Sequence, residues 1–182
     1  TGNTLLNMAH FSVATYLIAF LRQTYSLSVW EVAPFLLIIG FGQLTGVIAG
    51  GLMADRLSKT KICIVTQTLA GLISFVLMSW PKNLLFSVLL GGLFMGLYSS
   101  NRPAFLSLMV SLSDHVRGTV MGIQATSNRL GQALGAASGG LILSWIDYGY
   151  LGIFCIVLSI FASAIFFYVS YYIEKSSQSA IR

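Results

Sequence analysis

The chain is 182 residues long, 56% hydrophobic and only 8% charged, with a mean hydropathy of +0.83. Soluble domains carry about 25% charged residues, and a fold of this size could not hide so much apolar surface. The composition therefore excludes a soluble domain and implies an all-α, polytopic membrane protein. The formal charge of +5 does not point to nucleic acid, because the basic residues are scattered over several loops instead of gathered on one face. The chain begins at Thr1, not at a methionine, which suggests an excised segment with further chain upstream.

The length suits six spans of about 20 residues. In order they are expected at residues 4–21, 32–54, 62–80, 84–112, 117–143 and 150–173, in one bundle covering 1–182, with a polar tail over 174–182. The first span carries His10 and runs into a polar turn region, 22–31. The second has Pro34 in its first turn, where proline is tolerated, and a ridge of glycines four apart: Gly42, Gly46 and Gly50. A charged loop over 55–61 follows, then the third span, which ends at Trp80 before the turn Pro81-Lys82-Asn83. The fourth holds Gly92, Gly96 and Ser100, then Asn101-Arg102-Pro103, where the proline should kink the helix. After a loop at 113–116, in which the neighbours Asp114 and His115 read as a solvated turn, the fifth span carries two small-residue ridges. Gly118 and Gly122 form one; Gly131, Gly135 and Gly139 form the other. Asp147-Tyr148-Gly149 turns the chain into a sixth span rich in Phe and Tyr, read as lipid-facing bulk.

With both termini on one side, that side holds Arg56, Lys59, Lys61, Arg117, Lys175 and Arg182, against Arg22 and Lys82 opposite. The excess of Lys and Arg marks the first side, with both termini of the segment, as cytoplasmic. Trp30, Trp80, Trp145, Tyr148 and Tyr150 then gather at the opposite interface as an aromatic belt. Spans two and five each carry three glycines four apart and each is the middle helix of a triplet. This echo predicts a 3+3 inverted repeat.

Residues four apart share one helix face, so each glycine ridge is a groove in which another helix can pack closely. An arginine at the depth of Arg102 or Arg129 costs roughly 2.5–3.5 kcal/mol on insertion scales. Such a residue belongs against protein or a water-filled cavity. No Asp or Glu lies in the central parts of the spans, so neither arginine has an intramembrane counter-ion within the chain. Each can pair with a carboxylate outside it, or bind an anionic ligand through its planar donor fork; the alternative is snorkelling, or bonding to carbonyls freed by Pro103. Asn101, Gln124 and Asn128 are cavity candidates or interhelical glue, as is Gln43. His10 is a candidate proton-coupling group or a packing residue. Cys63 and Cys155 lie in apolar runs and read as small core hydrophobes. No metal site is expected, and the in-membrane constellations of a hydrolase are missing, so the chain does not read as an enzyme.

The loop after the second span reads Gly51-Leu52-Met53-Ala54-Asp55-Arg56-Leu57-Ser58-Lys59-Thr60-Lys61. It resembles the signature cytoplasmic loop of the major facilitator superfamily. Met53 stands where that pattern has leucine, Ser58 where it has glycine, and Thr60 where it has a basic residue. In the resemblance Gly51 lets two helix ends approach, Asp55 accepts from a neighbouring helix N-terminus, and Arg56 and Lys59 pair with carboxylates across a cytoplasmic gate. Gly122, Gly131, Gly135, Gly139 and Gly140 are similar to the glycine frame of that family's antiporter motif, with Ala136 in place of its proline; similar helices occur as the family's eleventh.

The resemblance implies one six-helix half of a twelve-helix transporter. The altered loop motif and the short tail point to the C-terminal half. It further implies a secondary active transporter of a small organic solute, working by alternating access and ion- or proton-coupled. The glycine ridges would be its sliding faces, and the glycine frame of the fifth span leans towards antiport and efflux. The partners implied are the lipid bilayer, the other half of the same protein, the solute and protons, with no nucleic acid and no cofactor. The location implied is the plasma membrane, in bacteria the inner membrane. A non-transporting receptor or scaffold on the same fold is the alternative, as is a half-size transporter acting as a homodimer.

Overall fold

The computed structural model describes residues 2–56, 58–111 and 117–179, with side chains over 2–56, 58–107 and 118–168. The loop residues Asp114 and His115, and positions 180–182, lie outside the described residues. Seven helices follow one another: α1 (Gly2–Ala14), α2 (Leu17–Tyr25), α3 (Val29–Arg56), α4 (Lys59–Ser79), α5 (Leu84–Ser111), α6 (Arg117–Trp145) and α7 (Tyr148–Ser179). Among the described residues the protein is all-helical. Five segments are long and apolar enough to cross a membrane: Gly2–Tyr25, Val29–Arg56, Lys59–Ser79, Leu84–Ser107 and Tyr148–Tyr168. α6 is as long as its neighbours but interrupted by polar residues, and it is not among the five.

Several expected boundaries move, each for a local reason. The first span is two helices, broken at Thr15–Tyr16, where Tyr16 N–H bonds the Val13 carbonyl at 3.1 Å instead of continuing the α pattern. The Tyr16 hydroxyl donates to the Ala136 carbonyl of α6 at 2.9 Å, so the break coincides with a tie across the bundle. The polar turn expected at 22–31 is largely helical. α2 runs to Tyr25 and stops at Ser26, whose φ of 53° is a left-handed cap. α3 then starts at Val29 behind a capping box: Ser28 N–H and Oγ both donate to Glu31 Oε2, at 2.8 and 2.7 Å. Pro34 consequently sits beyond the first turn of α3. Asn83 caps α5 by accepting from Phe86 N–H at 2.9 Å. α5 is continuous through Pro103, and α7 is helical through Ser179 into the expected tail.

The helices alternate end to end. Gly2, the ends of α3, α5 and α7 and the starts of α4 and α6 lie at one end of the bundle; α2, α4 and α6 end, and α3, α5 and α7 begin, at the opposite end. Trp30, Trp80 and Trp145 are all largely exposed at that opposite end. The main apolar core joins Val13, Leu17, Phe20 and Leu21 to Ile39, Leu77, Val88, Phe94, Leu151 and Cys155. A second cluster, around Leu6, Ile62, Cys63, Phe105 and Phe166, fills the other end. Cys63 and Cys155 are buried free thiols. α4 and α7 are pinned by Gln67 Nε2 donating to Ser159 Oγ at 3.2 Å and by the Thr68–Ser163 hydroxyl pair at 3.1 Å.

The glycine ridges set the closest approaches. A Cβ on Gly42, Gly46 or Gly50 would fall onto the α5 backbone at Gly92, Gly96 and Ser100 respectively. A Cβ on Gly131 or Gly135 would meet the α1 carbonyls of Thr4 and Met8 at 2.5 Å, and one on Gly139 would meet the Tyr16 ring at 2.8 Å. The α3 ridge and the Gly131, Gly135 and Gly139 ridge of α6 are thus consumed inside the bundle. For these two ridges the expectation of sliding faces against another half is corrected: a glycine groove already filled by a helix of the same chain has no room for a second. Among the described residues a Cβ on Gly51, Gly118 or Gly122 would meet nothing within 4 Å, so none of the described helices is drawn against Gly51.

Candidate functional site

The described residues enclose a cavity of about 570 Å³ between α1, α5 and α6. Each helix contributes one stripe. α1 supplies Asn3, Leu6, Asn7 and Phe11; α5 supplies Tyr98, Asn101, Arg102, Phe105 and Leu106; α6 supplies Gln124, Ala125, Asn128, Arg129 and Gln132. The dominant spacings are i, i+3, i+4 and i+7, one face of a helix. The α6 stripe adjoins the glycine ridge, so the contact that seats α6 on α1 also aims Asn128 into the space between them.

A hydrogen-bond network fixes the floor. Asn7 Nδ2 donates to the Asn3 backbone carbonyl at 2.8 Å and to Asn128 Oδ1 at 2.8 Å. Asn3 Nδ2 donates to the same Asn128 oxygen at 2.8 Å. Tyr98 Oη donates to Asn7 Oδ1 at 2.7 Å. The backbone carbonyl settles the amide orientation, since only the NH₂ end of Asn7 can face it. Asn128 must then turn its oxygen to α1 and its NH₂ away. On the α6 side Arg129 Nη1 donates to Gln132 Oε1 at 3.2 Å. The Arg102 guanidinium carbon lies 5.4 Å from the centroid of the Tyr98 ring, within cation–π range.

Five of the six polar candidates chosen from the sequence meet here: Arg102, Arg129, Asn101, Asn128 and Gln124. His10 does not line the cavity. It is buried behind Tyr98, with ring centroids 3.2 Å apart and planes 4° from parallel, and it stacks on Phe94 at 4.8 Å. Its Nδ1 has no hydrogen-bond partner. Gln43 is exposed on α3, away from the site. Asp55 and Arg56 are exposed at the end of α3, with Lys59 half-buried at the start of α4. Sequence reasoning missed Asn3, Asn7, Tyr98 and Gln132. Counting three and four residues along the helix from Arg102 and Arg129 would have found Tyr98 and Gln132. Asn3 and Asn7 share a face of α1, four residues apart.

The cavity holds two guanidinium groups, and among the described residues no carboxylate lines it. Asn101 is buried, and among the described residues neither polar atom of its side chain has a hydrogen-bond partner. A concave, partly apolar site with a few convergent polar groups and a volume in the few-hundred Å³ range is the form of a small-molecule site.

A family model described as Major Facilitator Superfamily matches residues 2–182. Among curated proteins, an uncharacterized MFS-type transporter of Bacillus subtilis (strain 168), YceJ, is 22% identical over 140 residues. That match covers 76% of this chain and 35% of the relative, so it spans about a third of the relative's length. No solved structure matches the chain.

Proposed function

For a chain that belongs to the major facilitator superfamily and is an integral membrane protein by its apolar helices, we propose one six-helix half of a secondary active transporter. It carries a small organic solute by alternating access, coupled to an ion or proton gradient, and the cavity between α1, α5 and α6 is its share of the solute site. The cavity is the observation that carries this reading: five polar residues that a bilayer would reject converge on one space large enough for a small molecule.

The helix pairing supports a 3+3 inverted repeat in which α6 is the fifth span. If α1 with α2 counts as one span, the middle helix of the first triplet, α3, packs its glycine ridge on the first helix of the second, α5. The middle helix of the second triplet, α6, packs its ridge on the first helix of the first, α1. The two third helices, α4 and α7, pack on each other. Exchanging the triplets maps these contacts onto one another, as such a repeat requires. Arg56, Lys59 and Lys61 lie at the Gly2 end, which makes that end cytoplasmic in the plasma membrane by the Lys/Arg rule. Asp55, Arg56 and Lys59 would then form the cytoplasmic gate against the other half. The glycine frame of α6 favours efflux by antiport.

The test is solute flux by the whole protein in proteoliposomes under imposed proton and sodium gradients, with Arg102→Gln and Arg129→Gln alongside. Gradient-driven flux that falls about tenfold or more in either variant, at normal expression, is the expected result. Near-normal flux in both variants would remove the arginines from the solute site. Flux indifferent to every ion gradient would end the secondary-active reading.

A further inference from the structure

We propose that the solute bound between α1, α5 and α6 is an organic anion, a carboxylate carried on an apolar body. This rests on the transporter reading above and deepens it. The argument is a census of what the cavity's polar groups have left to offer. The oxygen of Asn7 is taken by Tyr98, that of Asn128 by Asn3 and Asn7, and that of Gln132 by Arg129. Asn7, Asn128 and Gln132 therefore commit their amide oxygens to neighbours, whereas Gln124 and Asn101 stand outside this network. What Asn128 and Gln132 retain are N–H donors, and Arg102 and Arg129 add only donors. Asn101 is the one buried amide in the site with both ends unpartnered. The result is a lining rich in donors, poor in acceptors and doubly positive.

Such a lining discriminates by charge. An ammonium ion would meet two guanidinium groups and, among the described residues, no carboxylate. A neutral amide would satisfy donors but leave both charges uncompensated in a partly apolar space. A carboxylate offers about four acceptor sites, matches the planar guanidinium fork, and neutralises the positive charge. The apolar body has its place beside Leu6, Phe11, Phe105 and Leu106.

Asn128 provides a variant that separates charge from architecture. Its Oδ1 accepts both bonds from α1, so Asn128→Asp keeps those bonds while replacing a free donor with a negative charge. The experiment uses the purified full-length protein in nanodiscs and measures thermal stabilisation by 4-phenylbutyrate, octanoate and benzoate. Each acid is compared with the amide and the amine of the same carbon skeleton. At least one acid should raise Tm at concentrations where its amide and amine do not. Arg102→Gln and Arg129→Gln should each weaken its apparent Kd by about tenfold or more. Asn128→Asp should lose the acid's effect and gain a response to the amine.

Equal responses to acid and amide across the series, no response to any acid, or a preference for the amine in the wild-type protein would overturn the proposal. So would acid binding that both arginine variants and Asn128→Asp leave unchanged. Failure of the transporter reading looks different: carboxylate-selective binding with no flux in proteoliposomes keeps the anion site and removes the transport. Gradient-driven flux of neutral or cationic solutes without acid selectivity does the reverse.

Discussion

Gly46→Ala puts one methyl group at the tightest crossing in the bundle. The added Cβ would lie 2.6 Å from both Cα and the carbonyl carbon of Gly96, with the carbonyl oxygen nearer still. Carbon pairs are best placed at about 3.5–4.0 Å, so α5 must retreat by about 1 Å. The neighbour is backbone, so no rotamer change can absorb the clash. Gly42 against Gly92 and Gly50 against Ser100 hold the same register on either side, so the retreat spreads along the crossing. A gap of about 0.5–1 Å forfeits a quarter to a half of each contact's attraction. The expected cost is about 1–3 kcal/mol, the range for forcing an extra methyl group into a packed core. At roughly 2–4 °C per kcal/mol for a domain of this size, Tm should fall by roughly 2–12 °C. The assay is fluorescence-detected size exclusion of the detergent-solubilised full-length protein after graded heating. Gly40→Ala is the control on the same helix. A Cβ there meets nothing within 4 Å, so its effect should stay within about 0.5 kcal/mol or be stabilising. A Gly46→Ala melting curve superimposed on that of Gly40→Ala would refute the packing argument.

Two further substitutions probe the site. Asn7→Ala removes the acceptor for Tyr98 and the donor to Asn128 at a buried position. It should cost about 1–3 kcal/mol for the polar groups left unpaired, read as a lowered Tm, with flux falling as well. His10→Phe keeps a flat ring between Phe94 and Tyr98, and gradient-driven flux should retain its pH dependence. Loss of coupling in a well-folded His10→Phe protein would instead make His10 a proton carrier.

How far the sequence could be read depended on whether a signal was local. The helical class, the approximate places of the apolar spans and the close-packing ridges all follow from composition and from glycines at helical spacing. Which helix a ridge would meet did not follow. Gly42, Gly46 and Gly50 are equally suited to a partner inside or outside the chain, and only the tertiary arrangement puts α5 against them. The start of α3 was legible and was missed: Ser28 and Glu31 carry the capping-box spacing inside what looked like a polar turn. The break at Tyr16 was not legible, because the bond that accompanies it runs to Ala136, 120 positions away. At the site, Arg102 and Arg129 stood out by cost. Asn3 and Asn7 did not, since an amide near a helix end is cheap until a partner such as Asn128 gives it a direction.

The helix that fails the apolarity test is the one on which the site depends. α6 is long enough to span but too polar to be stable facing lipid along its whole length. Its polarity is confined to particular faces. The glycine ridge goes to α1, and the stripe from Gln124 to Gln132 goes to the cavity. Large apolar side chains such as Ile123, Leu130, Leu134 and Leu141 are left exposed. Low overall hydropathy in one helix of an otherwise strongly apolar bundle is therefore a positional signal. In a bilayer such a helix has to bury its polar face, and α1, which covers it, together with α5 across the cavity, makes the other walls of the site. The same reasoning explains why the arginines can be kept. They are exposed in this chain yet lie on the cavity stripe, so their cost is set by what enters that space and not by lipid. An anion that binds there lowers that cost, which couples loading of the site to the stability of the helices around it.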